Sequence, residues 1–171
     1  MPLPVILKNM NMFHNGLSLA GVVAEVTLPP LERKMENYRG GGMTGTIAID
    51  MGEADEPITI EYKMGGFHEA AYENFGAATH DAEMIRWVGA FQDDGTGQYK
   101  AVEITARGRH SKLEEGTQKP GERGDGGKTF LASFYQLTVD GRELVYIDVP
   151  NMVFRTGGVD RNAELRAILG I

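Results

Sequence analysis

The sequence contains no cysteine. That removes a disulfide framework, a thiolate zinc centre and a cysteine nucleophile together. Long hydrophobic runs are missing too. The opening MPLPVILKNMNMF carries too short an apolar stretch for a secretion signal, and two prolines break it. Nothing later approaches the ~20 apolar residues that span a bilayer. The expectation is a protein made and folded in the cytosol, without a membrane anchor. Positive charge is not in excess either, since the formal net charge is −7. Tight nucleic-acid binding needs clustered Lys and Arg to displace counterions. An acidic chain is instead compatible with a surface along which DNA slides without sticking.

Glycine is abundant, at 23 residues, and its densest run raises the question of a phosphate site. PGERGDGGKTF, residues 120 to 130, ends in Gly127-Lys128-Thr129. A phosphate-binding loop reads G-x-x-x-x-G-K-[ST], with backbone amides cradling the phosphates and the lysine reaching the terminal ones. Five positions before Gly127 stands Glu122 rather than glycine. The following TFLASFYQLTV is rich in β-branched and aromatic residues and reads as a strand, where such a loop would open a helix. The motif is not a phosphate loop.

The length of 171 residues suits a single domain, 1–171, which buries roughly 70% of its unfolded surface. Turn dipeptides punctuate a chain that is mostly β. Asn15-Gly16, Asp94-Gly95 and Asp140-Gly141 each separate apolar stretches with hairpin chemistry. MTGTIAID and PITIEYKM add strands around the acidic turn MGEADE. About eight strands at short spacing favour a sandwich or barrel-like domain. In FLASFYQLTV, strict alternation puts Phe130 and Phe134 on one face and Leu131, Tyr135, Leu137 and Val139 on the other.

One or two short helices complete the expected class. Phe67, Ala71, Phe75 and Ala78 share a helical stripe, with Gly76 as a stop. At the C-terminus Asp160 can cap RNAELRAIL, whose Leu165, Ile168 and Leu169 form an apolar stripe ending at Gly170. So short a helix must dock on something to be stable.

Two segments of nearly twenty residues fit a lone compact domain poorly: 29–45, PPLERKMENYRGGGMTG, and 110–128, HSKLEEGTQKPGERGDGGK. Loops this long are uncommon in compact domains. Ordering them costs about 1–2 kcal/mol per residue in backbone entropy, and neither carries the apolar content to recover it within its own domain. Leu31, Met35, Tyr38 and Met43 read as contacts for a neighbouring molecule.

Chemistry is scarce. His14, His68, His80 and His110 are scattered without paired local spacing. His80, Asp81 and Glu83 form the strongest local metal candidate, yet they sit in a polar connection. No G-x-S-x-G elbow surrounds Ser18, Ser111 or Ser133. Asp50, Glu53, Asp55 and Glu56 read as a solvated acidic turn. Arg39 beside Gly40, Gly41 and Gly42 has the makings of an anion-binding nest, but strand rather than helix follows, so backbone freedom explains the glycines better. No enzyme, cofactor or resident metal emerges.

The segments LPPLERKMENYRGGGMTG, MGGF, ITARGRHSKLEEG with KPGE, FYQLTVDGRELVYIDV and GVDRNAELRAILGI are found in this order along the chain. Together they closely resemble the major tail tube proteins of contractile-tailed bacteriophages, over essentially the whole length. The resemblance implies a β-sandwich or barrel-like tail tube fold with long hairpins and extended loops. It implies a structural subunit that stacks as hexameric rings into a hollow inner tube for DNA delivery. Implied partners are further copies of the chain, the tail sheath protein, baseplate and tail-terminator proteins, and the tape-measure protein and DNA within the lumen, without sequence-specific binding. The implied location is the virion tail, assembled in the host cytoplasm.

The resemblance also gives the two long segments an assembly role. It falls on Glu36, Tyr38, Arg39, Gly40, Gly41, Gly42 and Met43 in the first, and on Gly116, Lys119, Gly121 and Glu122 in the second. The PGERGDGGK run is then an arm that acquires its structure on assembly. Tubes of phage-tail-like bacteriocins and related contractile injection systems share the resemblance and form the alternative. A small metal-dependent β-barrel enzyme using His80, Asp81 and Glu83, or the Arg39 nest, is the lesser one.

Overall fold

The computed structural model describes residues 3–124 and 126–171, so Met1, Pro2 and Asp125 lie outside the described residues. Strand β1 (Val5–His14) turns back at Asn15 and Gly16, both at positive φ (47° and 85°), into the short β2 (Leu17–Ser18). This is the mirror-image turn that Asn-Gly favours. β3 (Val23–Thr27) follows, then β4 (Arg33–Tyr38), β5 (Ile47–Glu53) and β6 (Ile58–Met64). β7 (Glu83–Asp93), β8 (Tyr99–Leu113) and β9 (Gly127–Val139) are the long strands. Asp140 and Gly141, at φ 50° and 80°, join β9 to β10 (Arg142–Asp148). β11 (Val153–Thr156), β12 (Val159–Asp160) and helix α1 (Ala163–Leu169) close the chain. The class is mainly β, with one short α-helix among the described residues.

Every pairing is antiparallel. The main sheet runs β12-β11-β10-β9-β8-β7-β1-β2 and carries a branch, because β6 also pairs with β9 and holds β3 at its far side. The branch point is Ser133. Ala132 is the last β9 residue paired with β6 (to Ile58), and Phe134 is the first paired with β10 (to Asp148). Against β8, the register jumps from Arg107↔Phe134 to Gly108↔Ala132, leaving Ser133 as a bulge. A bulge inserts one residue and flips the faces beyond it. Hence Phe130 and Ala132 are buried, then Tyr135 rather than Phe134. The expected sharing of one face by Phe130 and Phe134 is corrected by this inserted residue. Phe134 stands instead edge-to-face with Tyr146, centroids 5.1 Å apart.

Gly108 makes the crossing possible. A Cβ there would lie 1.9 Å from the Leu131 carbonyl oxygen, so only glycine permits the approach of β8 to β9. Around it the core has strict two-residue periodicity. Ile85 and Trp87 of β7, Ile104 and Ala106 of β8, and Ile60, Tyr62 and Met64 of β6 close on Met12, Leu19, Phe130 and Ile147.

The expected helix over Phe67–Ala78 is not formed. Its place is taken by a single 3-10 turn, Glu69–Ala71, capped by His68 Nδ1, which accepts from the Ala70 N–H at 3.3 Å. Ala70 and Ala71 enter the core, while Phe67 and Tyr72 stack at 5.6 Å and leave Phe67 and Phe75 exposed. At α1 the N-cap is Asn162, not Asp160. Asp160 accepts from the Asn162 N–H at 3.0 Å and pairs with Arg166 at 2.6 Å. Gly170, at φ 74°, ends the helix as expected.

The expected hairpin at Asp94-Gly95 is formed, joining β7 to β8 through a loop over residues 94–98 in which Gly97 carries the positive φ (73°). Asp93 Oδ1 accepts from Gly95 N at 2.7 Å to start it.

Candidate functional site

Segment 29–45 is less irregular than its composition suggests. Arg33–Tyr38 forms β4, which pairs with β5 as a separate two-stranded sheet. No ladder joins this sheet to the main one among the described residues. Arg33 binds Asp50 through two parallel hydrogen bonds of 3.0 Å, and Lys34 reaches Asp55 at 2.7 Å. An isolated two-stranded hairpin is marginal in water. Its apolar side chains Met35, Tyr38, Ile47, Ile49 and Met51 are all exposed.

The tip gathers several residues singled out in the sequence. The Tyr38 ring lies over Gly40, whose Cβ, if present, would meet the phenol oxygen at 2.9 Å. Met43 closes the turn, donating its N–H to the Gly40 carbonyl at 3.3 Å while its sulfur accepts from the Gly40 N–H at 3.1 Å. Gly42 takes the positive φ (86°) that the turn needs. Gly41 has open space beside it. Glu36 and Arg39 are exposed, the latter at the start of a turn that leads into strand β5.

The second segment starts inside β8, continues outside any strand over the described residues 114–124 and 126, and ends in β9. Gly116 and Gly121 take positive φ (70° and 79°), and Lys119 and Glu122 face each other at 3.8 Å on the surface. Its base is tied down within the chain. Lys128, 1% exposed, donates to the Glu114 carbonyl at 3.0 Å and to the Glu115 carboxylate, which also accepts from the Tyr72 hydroxyl. Glu114 N–H donates to the Gly127 carbonyl at 2.9 Å. The expectation that the run lacks structure before assembly is therefore corrected at this base. The lysine of the false phosphate motif is a buried staple.

The metal candidate His80-Asp81-Glu83 comes apart. His80 Nδ1 lies 2.8 Å from Ser133 Oγ at the branch point. Glu83 points the other way, into the core, between two histidines far off in sequence. His14 Nε2 lies 3.0 Å from Glu83 Oε1, and His110 Nδ1 lies 2.8 Å from Glu83 Oε2. Burial pushes the Glu83 carboxyl up, but the hydrogen bonds from His110 and His14 outweigh it and hold it at about 2. Tyr62 Oη completes the chain at 2.7 Å from His110 Nε2. Sequence spacing gave no sign of this cluster, because its four members come from four different strands.

Two further apolar features lie open among the described residues. Leu165, Ile168 and Leu169 of α1 are exposed, and no residue of the helix is buried. Arg166 holds the helix instead, through Asp160 and the Met152 carbonyl at 2.9 Å. Between the base of the β4–β5 hairpin and the main sheet runs a groove of about 840 Å³, lined by Leu31, Ile58, Val145, Ile147, Val149 and Phe154. Arg33 spans it with its guanidinium 5.0 Å from the centre of the Phe154 ring.

The described residues thus make an all-antiparallel domain with an exposed apolar arm, and none of its helices is long and apolar enough to cross a membrane. Residues 4–170 match the family model described as phage tail tube protein FII. The chain belongs to the phage tail tube family. It is similar to the tail tube protein of Escherichia phage P2, 42% identical over 172 residues and covering 100% of both chains. It is also similar to the major tail tube protein of Serratia phage KSP20, 30% identical over 158 residues, covering 92% of this chain and 91% of that one. Phage tail tube proteins are structural components of the virion, not enzymes.

Proposed function

We propose that the chain is the repeating subunit of a phage inner tail tube, stacking as hexameric rings into a hollow conduit for DNA. The observation that carries this reading is the β4–β5 hairpin, a two-stranded sheet with five large apolar side chains exposed and, among the described residues, no ladder to its own domain. Such a hairpin gains stability by laying that surface on a neighbour. Tyr38, Gly40 and Met43 shape its tip, with Glu36, Arg39, Gly41 and Gly42 presented around them. Gly116, Lys119, Gly121 and Glu122 present a second surface on the 114–126 loop. The open sheet offers further edges for neighbours to cover. The net charge of −7 suits a lumen that repels a phosphate backbone.

The reading extends to a contractile tail. There the outside of the tube meets a sheath, its ends meet baseplate and terminator proteins, and its lumen holds the tape-measure protein and then DNA. Assembly takes place in the host cytoplasm. Negative-stain electron microscopy across a concentration series tests the core of the proposal. Hollow rings or tubes of uniform width are expected, with or without baseplate components as initiator. Monomer alone at every concentration, with those components present, would overturn it.

A further inference from the structure

We infer that His14, Glu83 and His110 form a buried site for a divalent cation of the zinc class. The three residues come from adjacent strands: His14 ends β1, Glu83 begins β7 and His110 lies near the end of β8. The ladders between these strands fix their backbones, with His14 opposite Ile85 and Glu83 opposite Gly108. The three ligating atoms lie within 4.8 Å of one another. Two ligands on one zinc ion at tetrahedral angles stand roughly 3.3 Å apart, given metal–ligand bonds of about 2.0–2.1 Å. The present separations of 3.0 and 2.8 Å need to widen by only a few tenths of an ångström.

The orientation of each donor fits. The two Glu83 oxygens face different imidazoles, so a bidentate carboxylate and two ring nitrogens make a four-atom donor set. Two imidazoles select zinc-like ions over magnesium or calcium, which prefer oxygen. His110 would ligate through Nδ1, and its Nε2–H then donates to Tyr62 Oη, 2.7 Å away. Ligating histidines are ordinarily held by such a bond from the second nitrogen. The His110 backbone N–H fixes the carboxylate from behind, at 3.0 Å from Oε2. Phe130, edge-to-face with His110 at 5.2 Å, supplies an apolar wall.

Burial points the same way. The Glu83 side chain is 0% exposed, and an anionic ligand held out of water favours a cation bound against it. Full enclosure marks the site as structural, filling as the chain folds and locking β1, β7 and β8 together.

The test refolds the full chain from urea with and without zinc chloride, then removes excess ion and measures bound metal by mass spectrometry. One zinc per chain and a rise of several degrees in Tm are expected, and cobalt in its place should give the intense visible absorption of a tetrahedral site. His14→Gln, which keeps a hydrogen-bonding group beside Glu83, should lose the metal while circular dichroism shows a folded chain. His80→Ala should keep it. Substoichiometric zinc in the unaltered chain would overturn the inference and leave a hydrogen-bonded network only. So would zinc that survives His14→Gln or disappears with His80→Ala. Should His14→Gln fail to fold, X-ray absorption of the zinc form decides, because two imidazoles must appear in the shell.

Discussion

Lys128 and Glu115 form an ion pair that roots a long loop in the body of the domain. The ammonium is 1% exposed, while the carboxylate end reaches the surface at 27%. The Tyr72 ring lies 5.6 Å from the ammonium and its hydroxyl shares the same carboxylate. One cation thus fastens the 114–126 loop and the turn after the 3-10 segment to strand β9.

Replacing Lys128 by methionine keeps the volume but strands Glu115 and the Glu114 carbonyl. Breaking a fully buried pair costs about 3–5 kcal/mol, and the partial exposure of Glu115 reduces this to about 1–3 kcal/mol. Urea unfolding of K128M measures it. A loss below about 0.5 kcal/mol would mean that the staple contributes nothing to the folded state.

The same pair predicts an acid sensitivity. Burial pushes the Glu115 carboxyl up, yet hydrogen bonds from Lys128 and Tyr72 outweigh it, so its pKa lies below the ordinary value. The unfolded chain therefore binds the proton more readily than the folded one. Stability from this group is full above the ordinary carboxylate range and is lost as pH falls through the lowered folded value. Unfolding free energies measured from pH 6 downward should fall less steeply in Glu115→Gln than in the unaltered chain. Parallel curves would refute the linkage.

At the β8–β9 crossing, Gly108→Ala places a Cβ 1.9 Å from the Leu131 carbonyl oxygen and 2.8 Å from Ala132 Cα. Both are backbone atoms, so the strands must separate. A loss of about 3 kcal/mol or more is expected. Gly41→Ala is the control, since nothing lies within 4 Å of its added methyl. It should change stability by less than about 0.5 kcal/mol. Thermal unfolding of the two variants side by side reads the contrast.

Tyr38→Ala with Arg39→Ala addresses the arm. Both side chains are exposed at the hairpin end, so monomer stability should stay within about 0.5 kcal/mol. Formation of rings or tubes should be impaired, as read by sedimentation and electron microscopy. Equal loss of monomer stability and assembly would place these residues in the core of the monomer instead.

Local chemistry carried the hairpins well. Asn15-Gly16 and Asp140-Gly141 take positive φ at both positions because the residues themselves permit it. Non-local chemistry was beyond reach. The bulge at Ser133 arises where β9 meets three other strands, so nothing within FLASFYQLTV announces the change of face. Phe67–Ala78 has a helical stripe, but Ala70 and Ala71 are drawn into the core and Tyr72 to Glu115, and tertiary contacts win. β4 is polar and weakly alternating, and only its pairing with β5 makes it a strand. β11 and β12 flank Gly157-Gly158, a readable hairpin signal that strand spacing alone passed over. His14, Glu83 and His110 could be assembled only once the order β8-β7-β1 was known.

The β4–β5 hairpin, joined to the domain through residues 28–32 and 54–57, is mechanically a lever. Six or seven residues of strand reach roughly 20 Å from that hinge. A tilt of about 10° at the base therefore carries Tyr38 and Met43 some 4 Å sideways, close to the spacing of neighbouring strands. If the arm meets neighbouring subunits as proposed, one subunit shape could fit them at slightly different angles, with the compliance residing in this hinge rather than in the main sheet.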